Sequence, residues 1–387
     1  RSSVIDRFLQ PIAQFTFSRA RVVLILGLLA LIVGVLGVRQ IQINDNPVKW
    51  FKKGHPMRVA DVVMNRLFGG TYMAYLVIEG NEPEIIKRPE VVSYLDRMQA
   101  YLEDDPLIGK TSSVADIVKR INFVLHDNDE SYNRVPDSRE AVGQFLFLFQ
   151  SSGDPNDLDS FVDRKSQQAN IWVQMKGGDN QQMQEVEDRL ASFVNINPPP
   201  DGITLSWSGL TYINKVWQDL MVFGMLKAIL GSFAIVFLLM LIQFRSLVLG
   251  FLSMIPLSIA ILLTYGLVGW VGKDYDMPIA VCSSLSLGLG IDFAIHFLQR
   301  FRMHYANSGS LEETNRYMFG EPGRAIARNA IVISLGFLPL LASSLTPYVT
   351  VGFFFALLMI FSTLSTLFLL PAALRFAGTR IVKGGES

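Results

Sequence analysis

Half of the 387 residues are hydrophobic and the mean hydropathy is +0.33, a composition typical of membrane proteins and not of water-soluble globular chains. The 34 basic and 34 acidic residues cancel, which removes any support for nucleic-acid binding and leaves charge to be read loop by loop. A single cysteine, Cys282, excludes an intrachain disulfide framework, and the histidines His55, His126, His296 and His304 are too scattered to make a metal site.

The chain opens on Arg1 and not on Met, which reads as a piece cut from something longer. Segment 1–21 carries Arg7, Arg19 and Arg21 and leads into an apolar run at 22–38. No small-residue cleavage site follows that run, so it reads as a retained span and not as a signal peptide. Gln40-Ile41-Gln42-Ile43-Asn44 then alternates like a strand. Segment 39–221, about 180 largely polar residues, is too long for a loop and reads as a domain. Its patterning predicts a strand over 71–78, a helix over 91–102, a strand over 170–175, a helix over 180–193 and a closing strand over 203–208. Repeated or split βαβ units of this kind suggest a ferredoxin-like α+β architecture. Pro198-Pro199-Pro200-Asp201-Gly202 forms a rigid turn before the last strand.

The stretch 140–150 contains Phe145, Phe147 and Phe149, too apolar for a solvated helix. It is either core or the wall of a path for an apolar substrate. Tyr212, Trp217 and Phe223 mark the approach to the second span; they suit an interfacial anchor, and Tyr212 and Trp217 border the same path. Further apolar runs at 222–244, 247–271, 278–298, 330–345 and 349–370 complete six candidate spans. Segment 299–329 mixes Arg316, Arg324 and Arg328 with Tyr317, Met318, Phe319 and Ile326, as an interfacial helix would, with a break at Gly320 and Pro322. A tail at 374–387 closes the chain.

Charge sets the orientation. With the N-terminus cytoplasmic, Arg7, Arg19, Arg21, Arg245, Arg300, Arg302, Arg316, Arg324, Arg328, Arg375, Arg380 and Lys383 all fall inside, whereas the short outer loops hold only Lys273 beside Asp274 and Asp276. Every loop agrees with the positive-inside rule, so both termini are expected in the cytoplasm and 39–221 on the outer side.

Asp292 is the most informative residue. A carboxylate inside a span costs about 2.5–3.5 kcal/mol on insertion scales, so such acids face a bundle interior and serve an ion path. Ala280, Ser284, Gly288, Asp292 and His296 recur every four residues, a small and polar stripe expected to face protein, with Gly290 beside it. Candidate hydroxyl donors to the acid are Ser334 on the fifth span and Ser362, Thr363, Ser365 and Thr366 on the sixth. His296, one turn further inward, either passes the proton on or is an interfacial histidine near Arg300. The cytoplasmic segments show no Gly-rich nucleotide loop, metal cluster or nucleophile arrangement, which disfavours ATP-driven transport and enzymatic catalysis.

Gly288-Leu289-Gly290-Ile291-Asp292-Phe293, Gly323-Arg324-Ala325-Ile326, Leu335-Gly336-Phe337-Leu338-Pro339 and Leu369-Leu370-Pro371-Ala372, in this order, resemble the resistance-nodulation-division superfamily, in its branch of MMPL and hopanoid-type exporters. The resemblance covers nearly the whole chain. It implies one six-span half with a periplasmic porter domain in a bacterial inner membrane. It further implies export of lipids or other hydrophobic and amphiphilic molecules, driven by protons at the fourth-span acid without another cofactor. A second half, joined by association or fusion, and a periplasmic carrier protein are the implied partners. Where the family often has Tyr after the acid this chain has Phe293, which removes one hydroxyl partner. A second reading, from the likeness of spans two to six to a sterol-sensing module, is a membrane receptor or scaffold without transport.

Overall fold

The computed structural model describes residues 4–377. The chain divides into one compact unit, Asn46–Asp219, and a helical unit built from the segments on either side of it. The helical unit starts with α1 (Val4–Ser18) and α2 (Ala20–Val38). The inserted unit holds α3 (Pro56–Leu67), β1 (Tyr72–Gly80), α4 (Pro89–Glu103), β2 (Ile108–Ser112), α5 (Val114–Leu125), α6 (Arg139–Ser152), α7 (Pro155–Asp159), β3 (Gln168–Met175), α8 (Asn180–Ile196) and β4 (Ile203–Ser208). Helix α9 (Leu210–Phe244) begins there and is followed by α10 (Leu247–Trp270), α11 (Met277–Ser308), α12 (Leu311–Met318), α13 (Glu321–Phe337) and α14 (Thr346–Ala377). The tail residues Arg380 and Lys383 lie outside the described residues.

In the inserted unit the four strands form one antiparallel sheet in the order β2-β3-β1-β4. The strand alternation read from the sequence is real: along β3 every second side chain from Ala169 to Met175 is buried, which is how a one-sided sheet meets its core. Helices α4 and α8 supply the opposing apolar faces through residues such as Val91, Leu95, Met98, Val186 and Leu190. Strand β2 was not anticipated. It is a short edge strand with a bulge between Ile108 and Lys110, and its Gly109-Lys110 centre carries no apolar alternation. Helix α5 begins with a capping box in which Ser113 and Asp116 satisfy each other's backbone, and Gln99 of α4 ties both in: it accepts from Ser113 Oγ at 2.6 Å and donates to Asp116 Oδ2 at 2.8 Å.

The alternating 40–44 segment is not a strand. Only Ile43 bridges, in parallel fashion, to Tyr275, with Tyr275 N donating to Gln42 O at 2.7 Å. Its partner is the short α10–α11 loop, which offers no ladder to extend.

In the helical unit six stretches are long and apolar enough to cross a membrane: α2, α9, α10, α11, Leu311–Ala342 and α14. Helices α10, α11 and α14 form the packed centre, with Leu257, Ala294, Phe297, Leu358 and Leu370 fully buried. Helix α9 packs one side against this centre through Ile229, Phe233, Val236, Phe237, Met240 and Phe244 and leaves its other side exposed. Segment 299–329 breaks at Gly320, where the sequence places a break. Residues up to Ser308 continue α11 until Gly309 stops it at φ +64°, α12 stands alone, and α13 starts after Gly320 with Pro322 in its first turn, running straight into the fifth span. The same span ends early: Pro339 lacks the N–H that an α-helix would need, and Leu338–Ala342 tightens to a 3₁₀ turn.

Candidate functional site

Helix α11 presents two different faces. Its inner face packs against α10 and α14, where Ser362 Oγ donates to the Gly290 carbonyl at 2.6 Å, two residues before the acid. A Cβ on Gly290 would stand 2.7 Å from a Leu257 methyl, so glycine is what lets α10 come this close. The outer face carries Gly288, Asp292 and His296, all exposed on the surface of the chain. A Cβ on Gly288 would meet no atom of the described residues within 4 Å.

This corrects the expected stripe. Ala280 is fully buried while Asp292 and His296 are not. Each residue turns an α-helix by about 100°, so a four-residue repeat advances about 40° per step and rotates by about 160° over the four steps from 280 to 296. The Ser284 side chain lies outside the described residues.

The expected donors are not gathered at the acid. Ser334 Oγ donates to the Ala356 carbonyl at 3.4 Å, and Ser362 is committed to Gly290. Thr363 and Thr366 are buried, and their hydroxyls have no hydrogen-bond partner among the described residues. Asp292 likewise makes no hydrogen bond or ion pair there. A single chain therefore holds the acid on one side of α11 and a hydroxyl-rich core on the other.

Phe293, next to the acid, turns inward and is 2% exposed. It also lines a cavity of about 380 Å³ between the C-terminal half of α11 and the first turns of α13, together with His296, Arg300, Glu321 and Asn329. Glu321 had no signal in the sequence beyond its place at a helix start. Near the other end of α11, Tyr275 hydrogen-bonds Ser283 at 3.0 Å and Tyr265 of α10 shares the same hydroxyl. That trio was also missed, because its members are 8 and 18 residues apart.

The aromatic residues of the inserted unit separate. Phe145 is core at 9% exposure, Phe147 stands out at 70%, and Phe149 is half-buried against the same core. Phe145 belongs to the packed core and not to the exposed surface. Tyr212 is half-buried and Trp217 exposed on the first turns of α9, a helix that starts 12 residues before the apolar run. No group of three His, Cys, Asp or Glu residues is placed to hold a metal among the described residues.

Comparison with known proteins agrees with this architecture. The chain is 21% identical to the membrane protein MJ1562 of Methanocaldococcus jannaschii over 380 residues, 95% of this chain and 94% of that protein. It is 24% identical to the membrane protein YdgH of Bacillus subtilis over 41% of this chain and 18% of that protein. It is also 24% identical to mouse protein dispatched homolog 1 over 46% of this chain and 12% of that protein. The chain therefore spans less than a fifth of the last two. The MMPL family model matches residues 71–385, more than three-quarters of the sequence and both structural units, and the chain belongs to the MMPL family of membrane proteins.

Proposed function

We propose that the chain is one six-span half of a proton-driven exporter of lipids or other hydrophobic and amphiphilic molecules, with Asp292 as the protonation site. The observation that carries this reading is the exposure of Asp292 on a helix long and apolar enough to cross a membrane. A carboxylate does not face lipid without large cost, so a second bundle, from another copy or a fused or separate half, covers this face. Neutral and ionised forms of the acid then favour different helix packings, which is how proton binding can move a bundle. His296 and the cavity beside it give the acid an inward outlet, with Ser334, Thr363 and Thr366 as polar groups that become available when the helices shift. Protons are the coupling ion and no cofactor is needed.

The inserted unit serves as a ferredoxin-like porter domain. Its strand order and all-antiparallel pairing support this, with the β2–β3 connection enlarged by α5, α6 and α7. The positive-inside distribution supports an inner-membrane placement with both termini cytoplasmic and this domain periplasmic, where a carrier protein would take the substrate. Phe147 and Phe149 border the apolar path, with Tyr212 and Trp217.

Asp292→Asn tests the reading, since the amide keeps the volume and loses only the titration. Proton-coupled efflux in vesicles should stop while expression and assembly persist. Undiminished efflux would remove Asp292 from the mechanism.

A second reading, a sterol-sensing-like receptor or scaffold, draws on one observation: among the described residues no hydroxyl meets the carboxylate. A sensor tolerates Asp292→Asn as long as packing survives, so the same mutant separates the two.

A further inference from the structure

Within the helical unit, α1, α12 and the start of α13 line a cleft of about 770 Å³ that has no part in the proton site. Its chemistry is that of an anion site with an added acceptor. Arg316 and Arg324 line it, and Arg375 donates to the Phe17 and Ser18 carbonyls while stacking 5.0 Å from the Phe17 ring centre. Among the described lining residues Glu312 is the one carboxylate beside Arg316 and Arg324. The 17-residue α13 opens into the same space at Gly320, whose backbone lines the cavity and which supplies no side-chain cap. Uncapped N–H groups and the helix dipole favour a phosphate there. Glu321, the acid of that first turn, lines the other cavity beside His296.

Asn315 is the second, independent pointer. It is 5% exposed and lines the cavity; its Nδ2 donates to the Ala13 carbonyl at 3.2 Å, while its Oδ1 has no partner among the described residues. A buried acceptor of this kind calls for a donor. Phe17 and Phe319 add apolar wall, and α1 ends at Ser18 immediately before the first membrane-length helix. The site thus combines positive charge, an acceptor and apolar surface beside the start of a helix long and apolar enough to cross a membrane.

We propose that this cavity binds the phosphate-bearing headgroup of a membrane phospholipid that also carries a hydroxyl or ammonium donor, with Arg316, Arg324 and the α13 N-terminus on the phosphate and Asn315 on the donor. The volume is within the range of small-molecule sites and far larger than a phosphate ion needs. Because the proposal uses no residue of the proton site, its failure and that of the transport reading are independent.

The test is lipid retention by the purified full chain in native mass spectrometry, with thermal unfolding followed in parallel. Phosphatidylglycerol and phosphatidylethanolamine should be retained and should raise the unfolding temperature more than phosphatidylcholine, whose choline has no N–H. Each basic group near a lipid surface strengthens binding by about fivefold, so Arg316→Gln with Arg324→Gln should weaken retention by about 10- to 30-fold. Arg316→Gln alone, at an exposed position, keeps the test valid if the pair fails to fold. Arg316→Lys should restore most of the loss, and Asn315→Leu should erase the preference over phosphatidylcholine. If glycerol phosphate alone produces the stabilisation, and lipid adds nothing, the site takes a soluble phosphate ester and the lipid assignment is overturned. Equal retention of all three lipids by wild type and Arg316→Gln overturns the site itself.

Discussion

Thr366 is fully buried on α14 with an unpartnered hydroxyl, and this makes it a sharper probe than any residue that already has a bond. An unsatisfied buried hydroxyl costs free energy, so Thr366→Val, which keeps the shape, should leave thermal stability equal or raise it by up to about 1 kcal/mol. If the hydroxyl serves the proton path, transport falls at the same time; unchanged transport would leave Thr366 as packing alone. Ser362→Ala should do the reverse. It breaks a 2.6 Å bond between α14 and the Gly290 carbonyl, and bonds of this kind in membranes average about 0.6 kcal/mol, so a small loss of unfolding temperature is expected. Asp292 was legible in the sequence because an acid in an apolar run stands out by itself. The direction it faces was not, because a four-residue repeat winds away from a helix of 3.6 residues per turn. The glycines that hold α2 to α10 were equally silent. Gly34 and Gly266 touch backbone to backbone, a Cβ on either meeting carbonyl oxygen at 2.8 or 2.7 Å, yet nothing local couples residues more than 200 positions apart.

Helix α6 shows what element-scale patterning can and cannot say. Its run of alternating Phe and Leu is a mixture of faces: at about 100° per residue, Phe145 and Phe149 turn toward the core and Phe147 away from it. Phe147→Asp should therefore change stability by no more than about 0.5 kcal/mol, while Phe145→Asp buries a charge and should cost several kcal/mol. Thermal unfolding of the full chain distinguishes them. If Phe147 borders the substrate path, Phe147→Asp also impairs export of apolar substrates without affecting proton uptake at Asp292. Normal export would return the residue to surface packing. Helix α3 departs from the usual rule altogether. Its polar side is the tethered one, with Asn65 Oδ1 accepting from Thr71 N at 2.8 Å and Arg58 donating to the Phe51 carbonyl at 3.1 Å, while Val59, Val62, Val63 and Leu67 are exposed. A hydrophobic period read as a core face would have pointed this helix the wrong way.

At the scale of the whole molecule, the helical unit leaves two things uncovered: the outer side of α9, with Leu226, Leu230, Ile235 and Ile242, and the Asp292 face of α11. Lipid can cover the first, which is apolar, but not the second. The six spans were readable from hydropathy because length and apolarity are additive along the chain; which faces remain open depends on packing and was not. Association with a second six-span bundle follows as an expectation, and mass measurement in nanodiscs should find two bundles per particle. Gly288 offers a mutation confined to that interface. Because a Cβ there meets nothing within 4 Å among the described residues, Gly288→Trp should leave the unfolding temperature of the dissociated chain unchanged, whereas Gly290→Leu, crowding Leu257 at 2.7 Å, should cost about 1–3 kcal/mol of stability. If a second bundle covers the acid, Gly288→Trp should also abolish the paired particle and the proton-coupled efflux together. A Gly288→Trp protein that still pairs and transports would show that this face of α11 is open to something other than a partner bundle.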